Sequence, residues 1–446
     1  MAQLIKFDVK ETLFSMALPM LVATVTMNAY NLADTWYVAQ LGTLPLAAMG
    51  FVFPVVMFFT FIARGVSIGI TALTSNAFGR QDNHTASNVV TYGAMLIVIL
   101  SALLTVIGYF TINPVFSQMG ADQKTLPLVT GYMETWYFGA VFMAVPMMGN
   151  GVLIALGDSK SASRFMALGA LVNIILDPIL IFGWLGIPAM GIFGAALATV
   201  ISQALSTVWL FYLLTAKHKL LKFKLPELNL LIVSWKEIAR FAVPASLTMM
   251  LMPITAGIIT ALISEHGVEA VAAASAAGRM EMFAFVIPMA LGMTLTPFIS
   301  QNYGGNRIDR ILEARQYVTK FALFYGLCIT LLFFICAPYL ATLFSNDPQV
   351  IQIFITYVRT VSFGYGMMEV HRYCGFFLTG MNKPLYTTVL NLTRTLGLLL
   401  PLSFLGSHYG GVEGIFTGRL ITDVFSGTIG LLLVGGIIEA KMVQEN

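Results

Sequence analysis

Residues 17–79 read ALPMLVATVTMNAYNLADTWYVAQLGTLPLAAMGFVFPVVMFFTFIARGVSIGITALTSNAFG. Two long apolar runs flank a short break at Gly42, and one carboxylate, Asp34, lies inside the first run. The pattern returns 225 positions later: Ala17 and Pro19 recur as Ala242 and Pro244, Gly42 as Gly267, and Ala47-Ala48 as Ala272-Ala273. Thr71, Ser75 and Gly79 recur as Thr296, Ser300 and Gly304. A constant offset without a gap marks two copies of one unit. The copies differ at one position of chemical interest, because Ile259 stands where Asp34 would recur.

Of the 446 residues, 58% are hydrophobic and 10% are charged, and the mean hydropathy is +0.83. An ordinary soluble domain carries about 25% charged residues. Lipid is therefore the solvent for much of this chain. A net charge of +3, spread over short loops, argues against a nucleic-acid partner. Cys328, Cys336 and Cys374 all fall inside apolar runs without framework or metal-ligand spacing, so neither a disulfide nor a metal is expected. The 33 Phe and 25 Met suit adaptable packing, around other helices, lipid or a varied ligand. Lysines precede the first apolar run, but no small-residue cleavage site follows, so that run reads as a retained membrane helix.

A span needs about 20 apolar residues. Such runs occur near 13–37, 46–77, 88–110, 128–151, 162–182 and 191–214, then near 238–263, 271–302, 317–343, 352–378, 386–406 and 412–438. They are continuous rather than alternating, which excludes a β-barrel. The expectation is an all-α polytopic membrane protein of twelve transmembrane helices in two parallel six-helix repeats: an N-lobe over 1–215, a cytoplasmic linker over 216–236, and a C-lobe over 237–446. With both termini in the cytoplasm, the outer loops hold Lys124 alone, and the linker carries Lys217, Lys219, Lys222, Lys224 and Lys236. That is the positive-inside pattern. The linker fits either an interfacial amphipathic helix or a plain loop. Two such lobes leave a central cleft, and gating one against the other gives alternating access.

Polar groups inside apolar runs are functional candidates, because an unpaired charge at bilayer depth costs several kcal/mol. Asp34 is the first, with Asn28, Tyr30 and Asn31 in the preceding turns. A carboxylate there must be paired, hydrated or protonated, and so can trade a proton or bind a cation. Asn173 and Asp177 are four residues apart and share a helix face. Pro178 follows and removes one backbone hydrogen bond, exposing a carbonyl. Carboxylate, amide oxygen and carbonyl are hard ligands that suit sodium or a proton network. Thr199 in the sixth run adds a hydroxyl. Pro19, fifteen residues before Asp34, is a candidate hinge. In the second copy, Arg419 and Asp423 are spaced to pair, with Arg394 able to join them as a structural set. Glu369, with His371 and Arg372 beside it, is placed to meet a cationic substrate.

These features resemble the multidrug and toxic compound extrusion (MATE) family: the six-plus-six arrangement, the early ALPM…N..D segment, the G..A.A motif from Gly42 to Ala48, and N…DP at Asn173–Pro178. The similarity covers essentially the whole chain and is nearest to the prokaryotic branch of the DNA-damage-inducible F proteins. It implies export of cationic or amphipathic compounds by antiport with protons, or alternatively sodium. Asp34, Asn173, Asp177 and Thr199 would couple the ion. The first three would be metal ligands if the ion is sodium, and Pro19 would be the bend. No cofactor beyond the coupling ion is implied. A monomer in the prokaryotic inner membrane is expected, with small amphipathic molecules and lipids as its partners. A flippase for lipid or lipid-linked saccharide is the near alternative, although it would want a strongly cationic cavity. An enzyme is disfavoured, since no HExxH or serine–histidine arrangement occurs. A channel suits the two-lobe repeat less well.

Overall fold

The computed structural model describes residues 3–222 and 227–445, and among these every regular element is helical. The first half contains α1 (Val9–Gln40), α2 (Thr43–Gly79), α3 (Asn83–Gln118), α4 (Leu126–Phe138), α5 (Ala140–Ala155), α6 (Ser159–Phe182) and α7 (Gly191–Tyr212). The second contains α8 (Leu228–Ser264), α9 (Val268–Ala284), α10 (Val286–Gly304), α11 (Ile308–Phe344), α12 (Pro348–Val361), α13 (Tyr365–Gly380), α14 (Pro384–Leu392) and α15 (Leu400–Glu445).

Among the described residues, eight helical segments are long and apolar enough to cross a membrane, and two bent pairs qualify as one span each. The bends are 51° between α4 and α5 and 55° between α9 and α10. One of the eight segments, Pro384–Val443, reverses at Gly411, whose φ of 58° and ψ of −143° leave the helical region. Only glycine takes such a conformation cheaply. Gly406 and Gly414 then meet backbone to backbone, so the two arms pack as a tight hairpin. With α12 and α13 joined through a 3-10 turn at Ser362–Gly364, the count reaches the twelve spans of the sequence reading.

The repeat is written into the backbone as well. Left-handed residues recur at the same 225-residue offset: Gly42 (φ 112°) and Gly267 (φ 109°), Gln81 (61°) and Asn306 (57°), Gly157 (80°) and Asn382 (61°). Asp122 and Asp347 share the offset, and each accepts hydrogen bonds from backbone N–H groups just after it. The break after α4 at Gly139 matches the break at Gly364.

Contacts divide the chain into two compact units: Leu18–Ser246 with Met1–Gln3, and Leu247–Asn446 with Leu4–Ala17. In the first unit, α2 packs on α3 and α5, and α6 lies against α7. The start of α8 belongs to this unit. Phe241 and Ile238 are buried, Trp235 Nε1 donates to the Tyr92 carbonyl at 2.9 Å, and a Cβ at Gly69 would sit 2.8 Å from the Ile238 carbonyl. Leu228–Lys236 of the expected linker are thus the opening turns of α8, and 223–226 lie outside the described residues. Before them, the Leu220 carbonyl accepts from Ser87 Oγ at 2.6 Å, and Lys217 Nζ reaches Asp158 at 2.7 Å. Hydrogen bonds from His218, Lys217 and Ser161 hold the Asp158 carboxyl well below the usual carboxylate range. In the second unit, Arg310 clasps the segment before α1, donating to the carbonyls of Leu4 (3.2 Å) and Phe7 (2.6 Å) and to Asn302 (2.8 Å). Its α9 and α12 enclose an apolar core that includes Ile259 at its edge.

Candidate ion-coupling site

The polar groups of the first unit meet where α6 and α7 touch. A Cβ at Gly194 would lie 2.6 Å from the Leu180 carbonyl, so only glycine permits this approach. Thr199 is thereby brought against Asn173. One terminal atom of the Asn173 amide lies 2.9 Å from Asp177 Oδ2, and the other lies 3.2 Å from Thr199 Oγ1. Thr199 Oγ1 is 3.0 Å from the Ala195 carbonyl. Asn173 is 2% exposed and Asp177 0%, and Asp177 Oδ1 has no hydrogen-bond partner. A buried acceptor left open in this way calls for a proton, a cation or water.

The Asn173 amide fits two hydrogen-bond patterns, and in neither does Asp177 Oδ1 gain a partner. With Asp177 ionised, the Asn173 nitrogen donates to it, and the amide oxygen accepts from the Thr199 hydroxyl. With Asp177 protonated, its O–H donates to the amide oxygen, the nitrogen donates to Thr199, and Thr199 donates to the Ala195 carbonyl.

Asp34 stands half-buried on α1, within electrostatic reach of Asp177. Tyr30, one turn before Asp34, brings its hydroxyl to Thr199. Asn28 is half-buried and Asn31 exposed, and neither joins these hydrogen bonds. Helix α1 runs unbroken through Pro19, and α6 runs through Pro178 to Phe182, so Asp177 does not mark a helix end. Among the described residues, neither acid is in an ion pair, and Arg64 is exposed on α2 without an acidic partner.

Sequence reasoning missed Tyr132 on α4. It is buried beside Tyr30, Asp34 and Asp177. The repeat held the signal: Tyr132, Thr135, Phe138 and Gly139 recur as Tyr357, Thr360, Phe363 and Gly364.

The second unit uses its tyrosine differently. Glu281 accepts from the hydroxyls of Tyr357 and Tyr365, both at 3.0 Å, and pairs with Arg419 at 2.8 Å. Arg419 also donates to Tyr357, and its Nε lies 3.9 Å from Asp423. Arg394 is the closer partner of Asp423, at 2.6 Å. Asp423 thus pairs mainly with Arg394, while Arg419 serves Glu281. Glu369 is buried and pairs with Arg372 at 2.9 Å, so the two form a polar network within the second unit. His371 contacts Asn391 at 3.1 Å. Among the described residues, no group of three His, Cys, Asp or Glu could hold a metal.

The family model MatE matches residues 19–179 and again 244–405, one match per copy of the repeat. The chain is 36% identical to the FAD transporter of Shewanella oneidensis over 95% of this chain and 94% of that protein. It is 24% identical to the probable multidrug resistance protein YoeA of Bacillus subtilis, covering 90% and 88%. A crystal structure of the Vibrio cholerae MATE transporter VcmN in the bent form superposes with a TM-score of 0.92 at 27% identity, covering 98% of each chain.

Proposed function

The chain belongs to the MatE family of multidrug and toxic compound extrusion transporters, and from that premise we propose that it is a secondary-active exporter of amphipathic aromatic compounds coupled to an inward-moving proton. It works as a multi-pass membrane protein, and the lysine and arginine distribution supports both termini on the cytoplasmic side. The observation that supports the reading is the first unit's pair of acids, which form no ion pair among the described residues, with Asp177 Oδ1 buried and open beside Asn173 and Thr199.

Asp34 and Asp177 load from the outside. Protonation removes negative charge and exchanges one hydrogen-bond pattern for the other. Coupling follows only if cargo binds the two patterns with different affinity. Sodium is the alternative ion, with Asp34, Asp177 and the Asn173 oxygen as hard ligands. A relative named as a probable multidrug resistance protein supports drugs as cargo. A second cargo, flavin adenine dinucleotide, is favoured by the higher identity to a relative named for it.

The test is dye efflux from proteoliposomes under a pH gradient or a sodium gradient imposed separately, for wild type and Asp34→Asn. Efflux driven by the pH gradient alone, and abolished in the variant, is the expected result. A strict sodium requirement would replace the proton with a metal ion. An active Asp34→Asn protein would remove Asp34 from the coupling site.

A further inference from the structure

The second unit turns its cations outward. In each of its buried ion pairs the acid is covered and the arginine is the exposed partner: Glu369 2% against Arg372 29%, Asp423 0% against Arg394 18%, and Glu281 11% against Arg419 22%. Arg372 lies over the Phe285 ring at 5.4 Å, with Nη1 2.9 Å from Glu369 Oε1. A guanidinium carries five N–H donors, so most of its capacity is open. Arg279 is freer still. It is exposed on α9 with no ion-pair or hydrogen-bond partner among the described residues.

Arg279 is also deep. It lies eleven residues along α9 from Val268, which is about 16 Å at 1.5 Å per residue. A guanidinium facing lipid at that depth costs several kcal/mol. The exposed side of α9 is mixed: small residues, Ala272, Ser275 and Gly278, precede Arg279, with Val268 (80%) exposed before them and Met282 (56%) after. A lipid-type face looks like that of α11, with Phe324, Leu327, Leu331 and Ile335 exposed. One turn beyond Arg279, Phe283 is 74% exposed on the same side of the helix. A free guanidinium beside an open aromatic ring is a recognition pair for a planar aromatic molecule bearing phosphate.

We propose that the second unit reads the anionic end of the cargo, with Arg279 binding phosphate and Phe283 stacking the attached ring. The physiological cargo is then a phosphorylated aromatic compound of the dinucleotide class. This rests on the export reading above, and it makes the carrier's two units opposite in sign: acids for the ion, an arginine for the cargo.

The experiment uses the full chain in proteoliposomes and three probes under one pH gradient: flavin adenine dinucleotide, riboflavin (the same ring without phosphate) and ethidium (a cation). Arg279→Gln should lower dinucleotide transport about tenfold, as loss of a charge-assisted hydrogen bond predicts. Riboflavin and ethidium transport should hold, and Arg279→Lys should recover part of the loss. Equal loss for all three probes would reduce Arg279 to a structural role and overturn the proposal, as would undiminished dinucleotide transport. Wild type moving ethidium but no dinucleotide would overturn it while leaving the export reading intact. If wild type moves none of the probes, the export reading fails. Fluorescence titration of the detergent-purified protein then decides the inference alone: dinucleotide binding that weakens in Arg279→Gln supports it, and absent binding sinks it.

Discussion

The two units have the same backbone plan and opposite electrostatics. In the first, Asp34 and Asp177 sit among tyrosines and an amide with no cation on either. In the second, Glu281, Glu369 and Asp423 each have an arginine. The same tyrosine of the repeat, Tyr132 or Tyr357, serves an open acid pair in one copy and a closed ion pair in the other. A closed pair is satisfied and resists change. An open acid is left wanting a proton, and that is the property a coupling site needs.

The widest separation between the units should appear when an acid is neutralised. Asp423→Ala leaves the half-buried Arg394 without its partner and should cost about 2–4 kcal/mol, read as a lowered melting temperature in detergent. Asp177→Asn strands no cation, so its melting should move little while pH-driven transport is lost. Equal destabilisation of the two variants would erase the distinction. Tyrosine to phenylalanine is the next contrast. Tyr357→Phe removes hydrogen bonds to Glu281 and Arg419, each a charged partner worth about 1.5–3 kcal/mol. Tyr132→Phe should leave stability near wild type and alter the pH profile of transport instead.

The matched breaks give a third comparison. A Cβ at Gly139 would strike the Val200 side chain, whereas one at Gly364 would lie 3.1 Å from the Asp423 Cβ. Gly139→Ala should therefore cost about 1–3 kcal/mol by overpacking and Gly364→Ala less, as chemical denaturation would register. The smallest effect belongs to Asp158, whose pairing with Lys217 is part exposed. Asp158→Ala should cost about 0.5–1 kcal/mol. The carboxyl is held below its usual range, so the stabilisation is present above the ordinary carboxylate pKa and is lost only as pH falls through the lower folded value. The deficit measured in melting curves at pH 8 should thus persist at pH 5.

Much of this was legible in the primary structure. A fixed offset revealed the duplication, and a carboxylate inside an apolar run stands out because lipid makes it expensive. Asn173 and Asp177 were readable because helical geometry ties positions four apart. Partners distant in sequence were not. Glu281 and Arg419 are brought together only by packing of α12 against both α9 and α15. Spacing placed Arg372 near Glu369 but gave no sign that the two pair. Tyr132 was overlooked because a tyrosine in an apolar run carries no periodic signal, though comparing the two halves would have found it. Helix α6 carries on past Pro178, because a proline frees one carbonyl and a supported membrane helix tolerates that.

The paired left-handed turns at Gly42 and Gly267, Gln81 and Asn306, and Gly157 and Asn382 have a historical meaning. They are inheritance from one half-length ancestor whose gene was doubled. Selection kept the corners, because moving a turn displaces every helix after it. It released the side chains, because an arginine gained in one copy leaves the other copy untouched. Corners of this kind offer a ruler for aligning the halves of divergent relatives whose charges have nothing left in common.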